Sequence, residues 1–514
     1  MDSVAREAWL MAWKRQLRKS RCPIVDLPPE TKSHILSYLP LSSVSHLSQS
    51  CRVWHQSALP ELYTRDAKEC DSFAMKWMAA HAVDERTTET ALNALKISAR
   101  FGGQVNAFNS DFSQQCEDWM LDESSTALHH AVSVGNLRVA EKLLDMGARH
   151  DISCLGARWV WEGYIRRLNH FENVFRADCI FGQWLPIFLA FMQDDSAMAR
   201  LLIDRGAGHE AMIANSCTGS TTHISILHFA AVDTTEAIFQ WRFLFERFRE
   251  YKNERCTEEN DTPLHIALKC GCIQGMQAAV ETGADMEARN TSLLTPLAAV
   301  VRQLGIVYTE DGTIQNHMRC LREFVKLGAS VNPDGDSVLA DSIEHYWANP
   351  AMWPDMMLII NFFVDQGADP NGTSLTGSHV ASQLVRAICE AKPSERKVLK
   401  NLLSNLVARG LDLTTQSSGW DSTLNTVIQQ PDAQPAWLFK LLCSKGATIH
   451  NDDVGAFFLR WCQIPRLWAG NQYDVRQHAE QISPAVARDA YKIAFSYNTS
   501  TLYDLLRRIP LAPL

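Results

Sequence analysis

A short motif returning with the same partner at the same distance limits this chain more than any other feature, because a repeat sets the architecture of the whole. Thr262-Pro-Leu-His265-Ile-Ala leads to Gly283-Ala284 twenty-one residues after Thr262. Thr126-Ala-Leu-His129-His-Ala leads to Gly147-Ala148, and Leu185-Pro-Ile-Phe188-Leu-Ala190 to Gly206-Ala207, at that same offset of twenty-one. Each element of the motif has a physical task. Thr caps free N–H groups at a helix start, and Pro occupies the first turn, where its missing donor costs nothing. The Leu and Ala residues that follow form an apolar face, with Ala small enough for close helix approach. Gly135 and Gly271 end the first helix, a second helix such as that bearing Val139, Leu143 and Leu144 follows, and the closing Gly-Ala stops it. The unit is a helix-turn-helix with a projecting loop.

Further units are irregular. Ser225-Ile-Leu-His228 lacks a closing Gly-Ala; Thr295 reaches Gly328-Ala329 after thirty-three residues, Ser337 reaches Gly367-Ala368 after thirty, Thr376 reaches Gly410 after thirty-four and Ser422 reaches Gly446-Ala447 after twenty-four. Surplus residues between fixed core positions belong in loops on one face. The largest surplus, 152–184, lies between the first two units and holds Trp159, Trp161, Tyr164, Phe171, Phe175 and Trp184. These aromatics are either exposed interface anchors or the core of an extra helix pair within the stack.

These segments resemble ankyrin repeats, units of about 33 residues with the signature T-P-L-H-x-A. The resemblance implies about eight repeats over 123–451 in an all-α solenoid, closed by a helical cap at 452–514. It also implies that His129, His228 and His265 are structural, bridging adjacent turns. The segment 66–122 reads as a helical linker, an N-terminal cap or an eroded repeat opened by Thr90-Ala-Leu. By analogy with the family, loop tips and inner helices bind the partner, which makes Asn136, Arg149, His150, Asp151, Lys269, Arg289 and Asn290 candidate target-binding residues.

Upstream of the repeats the pattern changes. Pro28 and Pro29 open a helix whose Ile35, Leu36 and Leu39 share a face, and Pro40 ends it. Ser42 or Ser43 then caps a second helix presenting Val44, Leu47 and Cys51 and running on to Trp54. So many large apolar residues in so small a cluster predict a partner surface. Leu27-Pro28, Glu30, Ile35-Leu36, Leu39, Leu47, Arg52 and Trp54 match, in order, the pattern of an F-box, which this stretch (23–65) closely resembles. That resemblance implies docking to the Skp-type adaptor of a Skp-cullin-F-box ubiquitin ligase, and through it to a cullin. Leu27, Pro28, Ile35, Leu36, Leu39, Leu47, Cys51 and Trp54 would supply the apolar contact or the helical core beneath it. Residues 1–22, basic with Trp9, Leu10, Trp13 and Leu17 at helical spacing, read as an amphipathic helix; Asp2 and Glu7 count against a transit peptide.

Composition agrees with a binding protein. At 514 residues, roughly three domains' worth of chain, with 46% hydrophobic residues, the chain can build a long array. A net charge of −9 disfavours general nucleic-acid binding. No run approaches the length needed to span a bilayer. The fourteen cysteines fall at no regular pitch and form no CxxC pair, the closest being Cys270 and Cys272, so we expect reduced thiols, no zinc and a cytoplasmic or nuclear setting. GxxxxGK[ST], HExxH, GxSxG and GxGxxG are missing, and no titratable cluster stands out in 152–184 or the C-terminal segment. The expected role is therefore a non-enzymatic substrate receptor without cofactor, carrying an unidentified target protein. The alternative is an ankyrin scaffold or inhibitor outside the ubiquitin machinery.

Overall fold

The structure is a computed structural model that describes residues 24–108, 125–155, 171–175, 177–216, 219–232, 238–256, 258–304, 313–334, 337–348, 353–414, 423–429, 436–447, 454–463, 482–496 and 500–507. The expected helix at 1–22 lies outside them. The chain divides into two compact units: Met1–Ala230 with Phe239–Tyr251 and Cys256–Glu258, and Ala231–Ile238 with Lys252–Arg255 and Glu259–Leu514.

The first unit opens with three helices, α1 (Pro29–Tyr38), α2 (Leu41–Ser50) and α3 (Arg52–Glu69). Pro40 stands at the N-cap of α2, so the helix begins before the serines expected to cap it. It also stops before Trp54: Cys51 is extended, with φ −159°, and separates α2 from α3. The last of the three runs to Glu69, past the boundary expected at 65. Leu36, Val44, Trp54 and Ala58 form the core of this module. The Arg65 guanidinium donates to the Leu39 carbonyl at 2.7 Å, tying the far end of α3 to the end of α1.

Next come α4 (Phe73–Ala80) and α5 (Glu85–Arg100). Asp71 and Ser72 adopt left-handed conformations, with φ 47° and 56°, at the corner that leads into α4. The Asp66 carboxylate accepts from the Ala74 backbone N–H at 3.1 Å, holding the corner shut. The pair α4 and α5 packs against the first repeat helices, so this stretch forms a helix pair of its own. Its register differs from the expected one: Thr90 lies inside α5 and opens no helix, while Asp84 caps α5 with Thr87.

Three repeat pairs follow: α6 (Ala127–Ser133) with α7 (Leu137–Asp145), α8 (Pro186–Met192) with α9 (Ser196–Asp204), and α10 (Ile226–Val232) with α11 (Ile238–Arg247). Gly147 takes φ 90° where α7 ends, as a left-handed cap requires. The Ala148 N–H donates to the Leu143 carbonyl at 2.9 Å in the same turn. The fold is mostly helical, as expected, and between these pairs it carries one small addition. A four-stranded antiparallel sheet, in the order β1-β2-β3-β4, is built from β1 (Cys154–Leu155), β2 (Ala177–Trp184), β3 (Glu210–Ser216) and β4 (Thr221–Ser225). The 152–184 surplus thus contributes strands to a sheet shared with the next loop. Phe171, Phe175 and Trp184 are buried, the two phenylalanines edge-on to Phe229 at 5.0 Å, so these three are core and not interface anchors. Trp159, Trp161 and Tyr164 lie outside the described residues.

The second unit continues with α12 (Pro263–Lys269) and α13 (Ile273–Glu281), α14 (Pro296–Leu304) and α15 (Thr313–Lys326), α16 (Val338–Ala348) and α17 (Trp353–Asp365). Then come α18 (Val380–Glu390) and α19 (Pro393–Ala408), and α20 (Thr423–Gln429) and α21 (Ala436–Ser444). The expected opening residue Thr376 lies in a turn, and α18 starts at Val380. Beyond the repeats, α22 (Val454–Cys462), α23 (Pro484–Ser496) and α24 (Ser500–Arg507) make up the described part of the C-terminal segment, with Phe458 and Trp461 buried.

Successive pairs are also linked at their loops. The Asn332 side chain donates to the Gly367 carbonyl at 3.1 Å and accepts from the Asp369 N–H at 2.7 Å; Asn371 makes the same two bonds to Gly410 (3.0 Å) and Asp412 (2.7 Å). In the first unit Asn106 does likewise with Gly147 and Arg149. Glu287 stands at the corresponding place in its own repeat and, having no donor, only accepts from the Ser330 N–H at 2.9 Å.

Candidate functional site

In the N-terminal module Leu36 is fully buried and Trp54 only 3% exposed. These two residues form the module's own core, so neither presents a surface to a partner. Trp54 is enclosed by Leu36, Val44 and Ala58, with the Lys32 ammonium 5.9 Å from its ring centroid. The reason is local. Three short helices can bury little else, so their largest side chain goes to the centre. Leu27, Ile35, Leu39, Leu47 and Cys51 are half-buried, Ile35, Leu39, Leu47 and Cys51 flanking that core, and Pro28 is exposed. Around them stand apolar side chains absent from the candidate set: Tyr38 at 78% exposure, Ile24 at 54% and Val53 at 37%. Their sequence signal was the excess of apolar residues over one buried face.

Cys51 sits at the N-terminus of α3, where the Trp54 N–H points at its sulfur and holds the thiol below its ordinary range. At the opposite end of α3, burial pushes the Asp66 carboxyl up to about 6 and the neighbouring Lys76 ammonium down to about 8.

The candidate target-binding residues separate into two groups. Asn136 caps α7, its oxygen accepting from the Val139 N–H at 3.0 Å while its amide donates to the Ala82 carbonyl at 2.8 Å. The Lys269 ammonium is held between Glu259 and Asp261, each at 2.6 Å. Asn290 is buried, donating to Asp261 at 2.9 Å and accepting from the Leu294 N–H at 3.1 Å. These three spend polar side-chain atoms on the fold itself, Asn136 and Asn290 on the preceding unit and Lys269 on the start of its own, and only Asn290 is fully buried. Arg149 and Asp151 are exposed and paired with each other, and His150 is half-buried. Arg289 donates to the Leu293 carbonyl at 2.7 Å and to the Asp334 carbonyl.

The motif histidines are buried. Nδ1 of His265 accepts from the Thr262 N–H at 3.3 Å, which leaves the proton on Nε2 to be donated to the Leu294 carbonyl at 3.1 Å, in the loop before the next helix pair. In the same way Nδ1 of His129 accepts from the Thr126 N–H at 3.1 Å. Among the described residues no group of three or more His, Cys, Asp or Glu is placed to hold a metal ion.

Residues 24–67 match the F-box-like family. Residues 124–155 match the ankyrin repeat. The F-box-like segment therefore takes in α1, α2 and most of α3, and the ankyrin match takes in α6, α7 and β1. Both are modules of protein interaction. No curated protein matches the chain. Among solved structures it is similar to the ankyrin repeat domain of Bcl-3, described as a unique member of the IkappaB protein family, at 18% identity over 59% of this chain and 93% of that one, with a TM-score of 0.29. It is similar also to the human ASB11 ankyrin repeat domain, at 17% identity over 64% of this chain and 96% of that one, with a TM-score of 0.26. Among the described residues no helix is long and apolar enough to cross a membrane.

Proposed function

We propose that this chain is the substrate-recognition subunit of a Skp-cullin-F-box ubiquitin ligase, its F-box-like module docking the Skp-type adaptor and its repeats holding a target protein. What carries the reading is the apolar side-chain surface that the F-box-like module leaves outside its own core: Leu27, Ile35, Leu39 and Leu47 half-exposed, with Ile24, Tyr38 and Val53 beside them. An adaptor that covers such side chains gains about 25 cal/mol for each Å² removed from water. Ubiquitin transfer takes place on partner subunits, and this chain contributes affinity and position. The repeats select the target, with Arg149, His150 and Asp151 as candidate contacts in the first unit and Arg289 in the second.

The test is co-expression of the full chain with a Skp-type adaptor and size-exclusion chromatography of the product. Co-elution in a stable complex is expected. A folded chain that elutes alone at micromolar concentration overturns the reading in favour of a scaffold outside the ubiquitin machinery.

A further inference from the structure

We infer that the outer edge of β4 is a docking site for an extended segment of a target protein, which joins the sheet as a new outermost strand. Among the described residues β4 is last in the sheet order and pairs only with β3. The direction of its backbone groups follows from β3. The Ala211 carbonyl accepts from the Leu185 N–H at 3.0 Å, so the backbone of Ala211 faces β2. The β3–β4 ladder shifts register between Glu210 and Met212, but the same bond makes Gln183 and Ile213, two places on, a pair that face each other, so Met212 faces β4 and its partner Ile224 faces back toward it. Thr221 and His223, at the alternate positions, therefore turn their N–H and C=O groups away from the sheet. Among the described residues no backbone hydrogen bond reaches them from that side, and both residues are exposed.

The two sides of the sheet are treated differently. On the β2 side, β1 covers Gln183 and Trp184. The stretch before them is closed by Glu172, whose carboxylate accepts from the N–H groups of Cys179 and Ile180 at 3.1 and 3.0 Å. Exposed edges are ordinarily blunted by charge, proline or bulges. β4, Thr-Thr-His-Ile-Ser, carries no proline and no Lys, Arg, Asp or Glu; the bulge in its ladder lies on β3 between Glu210 and Met212, next to Ile224 and Ser225, and the Glu210 carboxylate lies 3.9 Å from the His223 imidazole. Behind it Ile224, Met212 and Ala214 are buried, so the edge is held rigid. Outward N–H and C=O groups recurring every second residue, about 6.8 Å apart, are complementary to another extended backbone. A helix has already used its own backbone groups. The occupant is thus an extended, proline-free segment rich in β-branched residues.

In taking that segment for the ligase target, the inference rests on the function proposed above, but capture of the segment can be read with no adaptor present. The experiment pans a phage-displayed library of random ten-residue peptides against the full chain, with selected peptides measured on the wild type and on His223→Pro. Proline at 223 removes an outward N–H and leaves the β3 ladder intact, as edge positions allow. Enrichment of β-prone peptides that lose at least about tenfold in affinity for His223→Pro is expected, with an unchanged melting temperature. As a check that leaves the protein unaltered, N-methylation of alternate peptide amides abolishes binding in one register and spares it in the other. No enrichment, equal binding to both chains, or indifference to N-methylation overturns the inference. Adaptor binding by the same two chains reports separately on the receptor reading.

Discussion

The side-chain amide of Asn332 donates to the carbonyl of Gly367 at 3.1 Å, across the boundary between two repeats. Because its oxygen also accepts from the Asp369 N–H at 2.7 Å, one side chain satisfies two backbone groups of the next loop. Each such bond contributes about 1 kcal/mol net. Asn332→Ala should therefore destabilise the second unit by about 1–2 kcal/mol in urea unfolding, and Asn332→Asp, which keeps the acceptor and loses the donor, by less. Glu287 provides the control: Glu287→Ala should cost no more than Asn332→Asp.

Lys269 is the clearest case of a residue whose sequence position and structural task disagree. Its ammonium is the shared partner of Glu259 and Asp261, and Asp261 also anchors Asn290. Removing the one cation takes the opposite charge away from Glu259 and from the buried Asp261, so Lys269→Ala should cost about 3 kcal/mol of stability. Arg149→Ala, which breaks an exposed pair with Asp151, should cost less than about 1 kcal/mol. Chemical denaturation of the two variants checks both, and equal losses would show that Lys269 is a surface residue after all.

How much of this was legible in the sequence depends on how local each signal is. Thr262 and His265, three residues apart, cap one helix start, and Gly283 ends the next helix within the same unit, so motif and spacing sufficed. The apolar surplus of the F-box-like segment was equally local. The sheet was not: β2 carries no simple alternation, and its pairing with β3 is set by two loops that stacking brings together. Asn290 was misplaced for a related reason, since its burial depends on Asp261, twenty-nine residues earlier. Thr90 imitated a repeat start inside a helix whose true cap, Asp84, lies six residues before it.

Trp54 and Tyr38 should respond to mutation in opposite ways. Trp54 fills the core of the F-box-like module, so Trp54→Ala should unfold it at a cost of about 3–5 kcal/mol, and loss of adaptor binding there would report on folding alone. Tyr38 is 78% exposed, and Tyr38→Asp should leave the melting temperature within a degree or two of the wild type. As Tyr38 is part of the proposed docking surface, Tyr38→Asp should cost about tenfold or more in adaptor affinity by calorimetry. Unchanged affinity would remove Tyr38 from the surface.

Acid should destabilise the first unit through its buried imidazoles. Burial pushes His129 down to about 4 and His130 to about 3, against an ordinary 6.5. The stability they contribute is fully present above pH 6.5 and is lost as pH falls through those folded values, at about 1.4 kcal/mol per pH unit for each proton that only the unfolded chain binds. Asp66 acts with the opposite sign. Its pKa is raised from 3.8 to about 6, so its contribution is full below 3.8 and is lost as pH rises through about 6. Between pH 6 and 4 two histidines oppose one carboxyl, and the net slope is a loss of stability toward acid. His130→Gln should flatten that slope. Asp66→Asn, which keeps an acceptor for the Ala74 N–H, should steepen it. Melting temperatures of the three proteins from pH 7 to 4.5 decide the point, and identical slopes would mean that neither group titrates as its burial requires.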